Sequence, residues 1–274
     1  MQYSFLVLYD FSQYARQALR VAHQWSGWAG ADLHILYNQE ATFAPAMADQ
    51  QVRQQLDAHS RSEAFHRLQR SYEETIGAPI PAKNVHISVK NLAFTITQIS
   101  SQYNTRLLFA GLKGHGVLKR IFMGSTVLKL LDIVDIPIVA IPHKLRAFEK
   151  INLHVGVSYH YIFHSIRLQQ FIQLLANKIH SLVFISVLTT EDDRQQAVRH
   201  LSRLRATFKE GEDVHTRLFE GNNPFAEVKA YMRNQEDSVL LVQKGSRALS
   251  DYLFREFFIN ELVHDASIPL IILP

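Results

Sequence analysis

Short runs of β-branched, aromatic and aliphatic residues alternate along this chain with longer segments whose apolar residues recur at helical spacing. Residues 3–9 (YSFLVLY) read as a buried strand, and Ser12 is placed to cap a helix over 14–25 that closes near Gly27 and Gly30. Residues 31–37 (ADLHILY) form the next strand, and the polar-rich stretch 46–76 has helical periodicity. A strand at 85–89, a helix at 93–103 and a strand at 106–110 (RLLFA) follow, then a glycine-containing loop, a helix over 125–133 and a strand at 136–141. Strands separated by helices of this length predict βαβ units and a parallel sheet. Because the strands are apolar throughout rather than alternating, the sheet should be covered on both faces. The predicted class is therefore α/β, a doubly wound flavodoxin- or Rossmann-like sandwich.

The order then repeats. Strands are expected at 151–157, 181–187, 214–219, 238–242 and 268–273, with helices over 163–179, 192–208, 224–233 and 252–263. The closing segments match best: DIVDIPIVAIP (132–142) aligns with DASIPLIILP (265–274), setting Ile136-Pro137 on Ile268-Pro269. A repeat of this length is a domain duplication rather than a solenoid. The division falls in the polar linker 143–150, giving domains 1–145 and 146–274. At 274 residues, 47% hydrophobic and 20% charged, the chain can bury two cores. The net charge of +4 is spread without a run of like charges, which argues against nucleic acid as a partner. With no cysteine there is no disulfide, thiolate chemistry or Cys-ligated metal. No apolar run approaches the ~20 residues needed to span a bilayer, and Asp10 interrupts the opening stretch too early for a signal peptide. A cytoplasmic protein without membrane contact is expected.

Chemistry concentrates after the fourth strand. Gly111-Leu112-Lys113-Gly114-His115-Gly116 is followed, nine residues after Gly114, by Gly124-Ser125-Thr126 at a helix start. Glycines let backbone N–H groups approach phosphate oxygens with no Cβ in the way. A helix N-terminus adds orphan N–H groups and a favourable dipole. Asp10 closes the first strand at the same edge, where open parallel sheets bind ligands at the topological switch point. Gly111, Gly114, His115, Gly116, Gly124, Ser125, Thr126 and Asp10 are thus candidate ligand contacts. Lys113, Lys119 and Arg120 flank the loop. His160 and His164 share a helical spacing, but no third ligand accompanies them, so a solvated helix start is the simpler reading. The charges of 49–73 read as a solvated helix face.

The opening FLVLYDFSQYARQAL, the signature Gly-x2-Gly-x9-Gly-Ser and the closing IPIVAIP strand resemble the universal stress protein family over about the first 142 residues. The resemblance implies a five-stranded parallel sheet of order 3-2-1-4-5 in each half. Its implied ligand is ATP or a related adenine nucleotide, with or without Mg²⁺. Gly111, Gly114, Gly124 and Ser125 would contact ribose and phosphates, Asp10 would hydrogen-bond near base and ribose, and the backbone of Asn38 would meet the adenine. Two such units commonly pair through their last strands, which implies a dimer-like pairing of the two halves within one chain, or a homodimer. Three positions depart from the family pattern: Leu8-Tyr9 stand where Pro and a small residue are common, Val127 replaces a second hydroxyl, and Asn91 replaces a glycine after the third strand.

The second half lacks the signature. Its fourth strand leads into Gln243-Lys244-Gly245-Ser246-Arg247, and alignment puts Glu256-Phe257 on Gly124-Ser125. The first strand of that half ends in Val157-Ser158-Tyr159-His160, with no carboxylate. One nucleotide site per chain, in the first half, is expected. No general base aimed at a water is recognisable, so binding is better supported than turnover, and only a weak ATPase activity stays open. The leading reading is a nucleotide-binding stress-response sensor or regulator. The alternative is a nucleotide-free scaffold of the same fold, with Tyr9 closing the pocket. An adenylating enzyme is disfavoured, because Tyr9-Asp10-Phe11-Ser12 stands where such enzymes carry a glycine-rich pyrophosphate loop.

Overall fold

Strand β1, Ser4–Leu8, is almost entirely buried, and it anchors the first unit because it is paired on both sides. In the computed structural model, which describes residues 2–39, 50–112, 134–188, 190–208, 213–221, 223–243 and 268–274, β1 runs parallel to β2 (Asp32–Asn38) and to β4 (Thr105–Leu112). Strand β3 (Val85–Ser88) pairs with the far side of β2, so the first unit has the order β3-β2-β1-β4, all parallel. Two buried aromatic contacts knit β1, β4 and the first helix: the Phe5 and Phe109 rings lie 5.7 Å apart, and Trp25 meets Phe109 edge-on at 5.7 Å. Each such side chain taken fully out of water contributes roughly 1.5–3 kcal/mol.

Helix α1 (Gln13–Ala29) starts where expected, with Ser12 Oγ accepting the Ala15 N–H at 3.1 Å. It ends at Gly30, whose φ of +62° suits a residue without Cβ, and whose N–H bonds the Ser26 carbonyl. Gly27 does not end the helix; it lies inside α1, and only Gly30 adopts the left-handed terminating conformation. Helix α2 spans Gln50–Ile76 and α3 spans Leu92–Tyr103. Asn91, which replaces the glycine common in the resembling family, has φ −52°, open to any residue, and its side chain caps α3 by accepting the Phe94 N–H.

By packing, the described chain divides into two units, 1–111 and 112–274. The second contains β5 (Ile138–Pro142), β6 (Ile151–Gly156), α4 (Ser165–Leu174), β7 (Ile179–Val187), α5 (Arg194–Phe208), β8 (Asp213–Phe219), α6 (Pro224–Arg233), β9 (Ser238–Gln243) and β10 (Leu270–Leu273). Strand β6 is flanked in parallel by β7 and β9, β8 lies outside β7, and β10 lies parallel on β9. Strand β5 then pairs antiparallel with β10, Leu270 facing Ala140 and Ile272 facing Ile138. The α/β class with a predominantly parallel sheet is as the sequence predicts. One helix is shorter than its periodicity suggests. The stretch 163–179 is α-helical only over Ser165–Leu174: Leu175 leaves the helical region (φ −127°, ψ 23°), Ala176–Lys178 tighten into a 3₁₀ turn, and Ile179 already enters β7. The β-branched and aromatic run IHSLVFISV pairs with β6 from Ile179 to Ile185, and so limits how far the helix can extend. Among the described residues, no helix is long and apolar enough to cross a membrane.

Candidate functional site

The carboxyl edge of the first unit is where the sequence places its chemistry. β1 sits between β2 and β4, so chain connections leave it in opposite directions, the arrangement that opens a crevice beyond the strand ends. The ladder pairs Leu8 with Leu36 and Val7 with Phe109. Continuing that register sets Asp10 abreast of Asn38 and Tyr9 abreast of Gly111. Three of the sequence-predicted residues thus share one edge. Gly114, His115, Gly116, Gly124, Ser125 and Thr126 lie outside the described residues, as do Glu256 and Phe257.

Each of the three has a defined local environment. Asp10 is exposed; its Oδ1 accepts the Ser12 N–H at 3.0 Å, and its second oxygen makes no hydrogen bond among the described residues. The turn that presents this carboxylate is the one that lets Ser12 cap α1. Asn38 is exposed, and the amide orientation that satisfies both its ends directs Nδ2 to the carbonyls of Lys90 (3.0 Å) and Ser88 (3.2 Å). Its side chain thereby ties the end of β2 to the loop after β3. A Cβ at Gly111 would stand 2.6 Å from the Tyr14 carbonyl carbon and 2.9 Å from the Ala15 nitrogen. The missing side chain is therefore filled by the first turn of α1, a packing role that the spacing of glycines did not disclose.

Five further residues shape this edge. Tyr9 is buried, and its hydroxyl and Ser71 Oγ on α2 are 2.7 Å apart. Phe11 adopts φ +64°, a conformation that costs a bulky residue ~1–2 kcal/mol and persists only where neighbours hold it. Its ring is gripped edge-to-face by Tyr9 at 5.4 Å and by Tyr37 at 4.9 Å. Arg67 lays its guanidinium over the same ring, with Cζ 3.9 Å from the centroid. Arg67 and Ser71 are one helical turn apart, so one face of α2 reaches both aromatic residues of the loop. That spacing was the available signal within a segment otherwise readable as a solvated face.

The sequence model of the universal stress protein family matches residues 3–142, just over half of the chain. The chain belongs to that family. Solved structures agree on the fold. A universal stress protein from Archaeoglobus fulgidus superposes with a TM-score of 0.59 at 14% identity, covering 98% of this chain and 97% of that one. A functionally unknown protein from Pseudomonas aeruginosa gives 0.53 at 14% identity, with 98% and 92% covered. At such identities the likeness concerns the fold. No curated protein matches the sequence.

In this universal stress protein the corresponding edge of the second unit is built differently. Beyond β6, the Tyr159 hydroxyl donates to Asp192 Oδ1 (3.1 Å) and accepts the Asp193 N–H (2.7 Å). His160 Nε2 also meets Asp192 Oδ1, at 2.5 Å. Gln243, which ends β9, accepts the His164 N–H at 2.8 Å through its side chain. The carboxylate missing from the end of β6 is thus supplied by the loop after β7, already engaged by a tyrosine and a histidine. His160 is paired with Asp192, and among the described residues no cluster of three His, Cys, Asp or Glu could hold a metal ion.

Proposed function

We propose that the first unit binds an adenine nucleotide of the ATP type, one per chain, and that the protein acts as a stress-response sensor or regulator. The observation that carries this reading is Asp10. An exposed carboxylate with an unengaged oxygen stands at the switch point of a parallel sheet, in a chain whose sequence continues from that edge into Gly-x2-Gly-x9-Gly-Ser. The residues fit such a ligand: Asp10 offers an acceptor for ribose or base donors, and the Phe11 ring offers a flat apolar face. Gly114, His115, Gly116, Gly124, Ser125 and Thr126 are proposed to cradle the phosphates, Asn38 to meet the base through its backbone, and Lys113, Lys119 or Arg120 to balance phosphate charge, with Mg²⁺ as a further counter-ion. The nucleotide supplies charge and shape to be sensed, and no residue is assigned to its hydrolysis.

The second unit is proposed as a partner that binds no nucleotide. Its switch point is occupied by its own Tyr159, His160 and Asp192. The antiparallel pairing of β5 with β10 is read as the chain's internal substitute for subunit pairing through closing strands. It also covers two apolar strand edges that would otherwise invite aggregation. A cytoplasmic setting, with no nucleic acid or membrane partner, accompanies this reading.

One observation favours a nucleotide-free scaffold instead. The Tyr9 hydroxyl is already engaged by Ser71, and Phe11 is already covered by Arg67, so the aromatic edge is complete without a ligand. Mass spectrometry of small molecules released from the purified protein separates the two. An adenine nucleotide at near one equivalent supports binding. A protein that carries none, and that takes up none when ATP is added, supports the scaffold.

A further inference from the structure

We propose that Arg67 is a displaceable cover: a flat heteroaromatic base docks on the Phe11 ring by taking the place of the Arg67 guanidinium. The inference rests on the nucleotide reading of this edge and names the groups that would receive the base. Phe11 is held with positive φ, and its ring is fixed edge-to-face by Tyr9 and Tyr37. Such a ring keeps a constant orientation, as a stacking platform must. The group lying over it is a planar, delocalised cation, whose shape and stacking preference imitate a base.

The cover is also weakly held. Arg67 is exposed, and among the described residues no carboxylate pairs with it, so the ring itself is the contact that positions the guanidinium. Its backbone is nevertheless well placed, because Ser71 one turn further along α2 is tied to the Tyr9 hydroxyl. Displacement therefore needs only side-chain rotation, while the positive charge stays tethered beside the docked base. A neutral nucleoside must remove the cover and gains nothing from that charge. A nucleotide removes the same cover and is attracted by it. Arg67 would thus favour phosphorylated over unphosphorylated ligands at the same platform.

Calorimetric titration of the full chain and its Arg67→Ala and Arg67→Lys variants with adenosine and with ATP tests this. An exposed cation–π contact is worth enough that its removal should tighten adenosine binding by roughly two- to fivefold. Arg67→Lys, which lacks the flat group but keeps the charge, should also tighten adenosine while retaining more of the ATP affinity than Arg67→Ala. Unchanged or weaker adenosine binding in Arg67→Ala, with ATP still bound by the parent protein, overturns the cover and leaves the nucleotide site standing. Failure of every form to bind either compound overturns both.

Discussion

His154 offers a measurement of how much the second unit relies on a neutral, buried imidazole. It lies on the central strand β6, is 1% exposed, and its Nε2 and Nδ1 lie 3.2 Å from the Tyr231 hydroxyl and 3.1 Å from the Asn152 carbonyl. Burial pushes its pKa from 6.5 down to about 4, against a smaller upward pull from the Asn152 carbonyl. Between those values the unfolded chain holds a proton that the folded chain does not, so stability rises with pH across this window. The contribution is intact above pH ~6.5, is lost as pH falls, and is fully lost near pH ~4. At about pH 4.5 the proton taken up on unfolding removes ~2.5 kcal/mol from the second unit, from 1.36 kcal/mol per pH unit. Replacing the residue by glutamine, which keeps a donor and an acceptor but cannot titrate, abolishes that dependence. Urea unfolding of the parent and His154→Gln should be followed by far-UV circular dichroism, because both tryptophans, Trp25 and Trp28, lie on α1 of the first unit. The variant should be less stable near pH 7.5, by ~1 kcal/mol for imperfect hydrogen bonds. It should gain on the parent by ~2.5 kcal/mol on acidification to about pH 4.5. A stability difference that stays constant over that range would refute the argument.

Other outcomes follow from the first unit. Gly111→Ala forces a methyl against backbone atoms of Tyr14 and Ala15 and should destabilise by ~1–3 kcal/mol, read as a lower Tm; an unchanged Tm would separate β4 from the first turn of α1. Tyr9→Phe and Ser71→Ala should each cost ~0.5–1.5 kcal/mol, and a double-mutant cycle should show them coupled; additive losses would mean that the 2.7 Å contact contributes nothing. His34 and His86 meet at 2.8 Å through ring nitrogens that can share at most one proton, whereas two separate histidines take up two on unfolding. Burial, with His34 adding to it, lowers His86 to about 4. Amide protection in the outer strand β3 should therefore fall as pH drops from ~6.5 towards ~4, more in the parent than in His86→Gln, and equal falls in both would refute it.

What the sequence disclosed depended on whether the cause was local. Apolar strands such as SFLVL, the Ser12 cap and the Gly30 terminator are set by neighbouring residues, and these elements stand where the pattern puts them. The α-helix within 163–179 is shorter than its pattern because Leu175 leaves the helical region, Ala176–Lys178 tighten into a 3₁₀ turn and Ile179 already pairs with β6. At the candidate site, Asp10 and the glycine signature were legible as a motif. The positive φ of Phe11, the Arg67 contact and the Gly111 packing were not, since each is imposed by an element distant in sequence. The family match ends at Pro142 and so assigns β5 to the first repeat, while packing sets β5 against β10; no local pattern encodes that placement.

Calorimetric titration of the full chain with ATP and Mg²⁺, beside Gly124→Glu, tests the central claim most directly. The substitution copies the residue that the second half carries at the aligned position. It would bring a carboxylate within a few ångströms of phosphate, where like charges in a partly dry site repel by several kcal/mol as a rough upper bound. One equivalent of nucleotide should bind the parent chain and none Gly124→Glu, with the circular dichroism of the two the same. Two equivalents per chain, or parent affinity in Gly124→Glu, would contradict it.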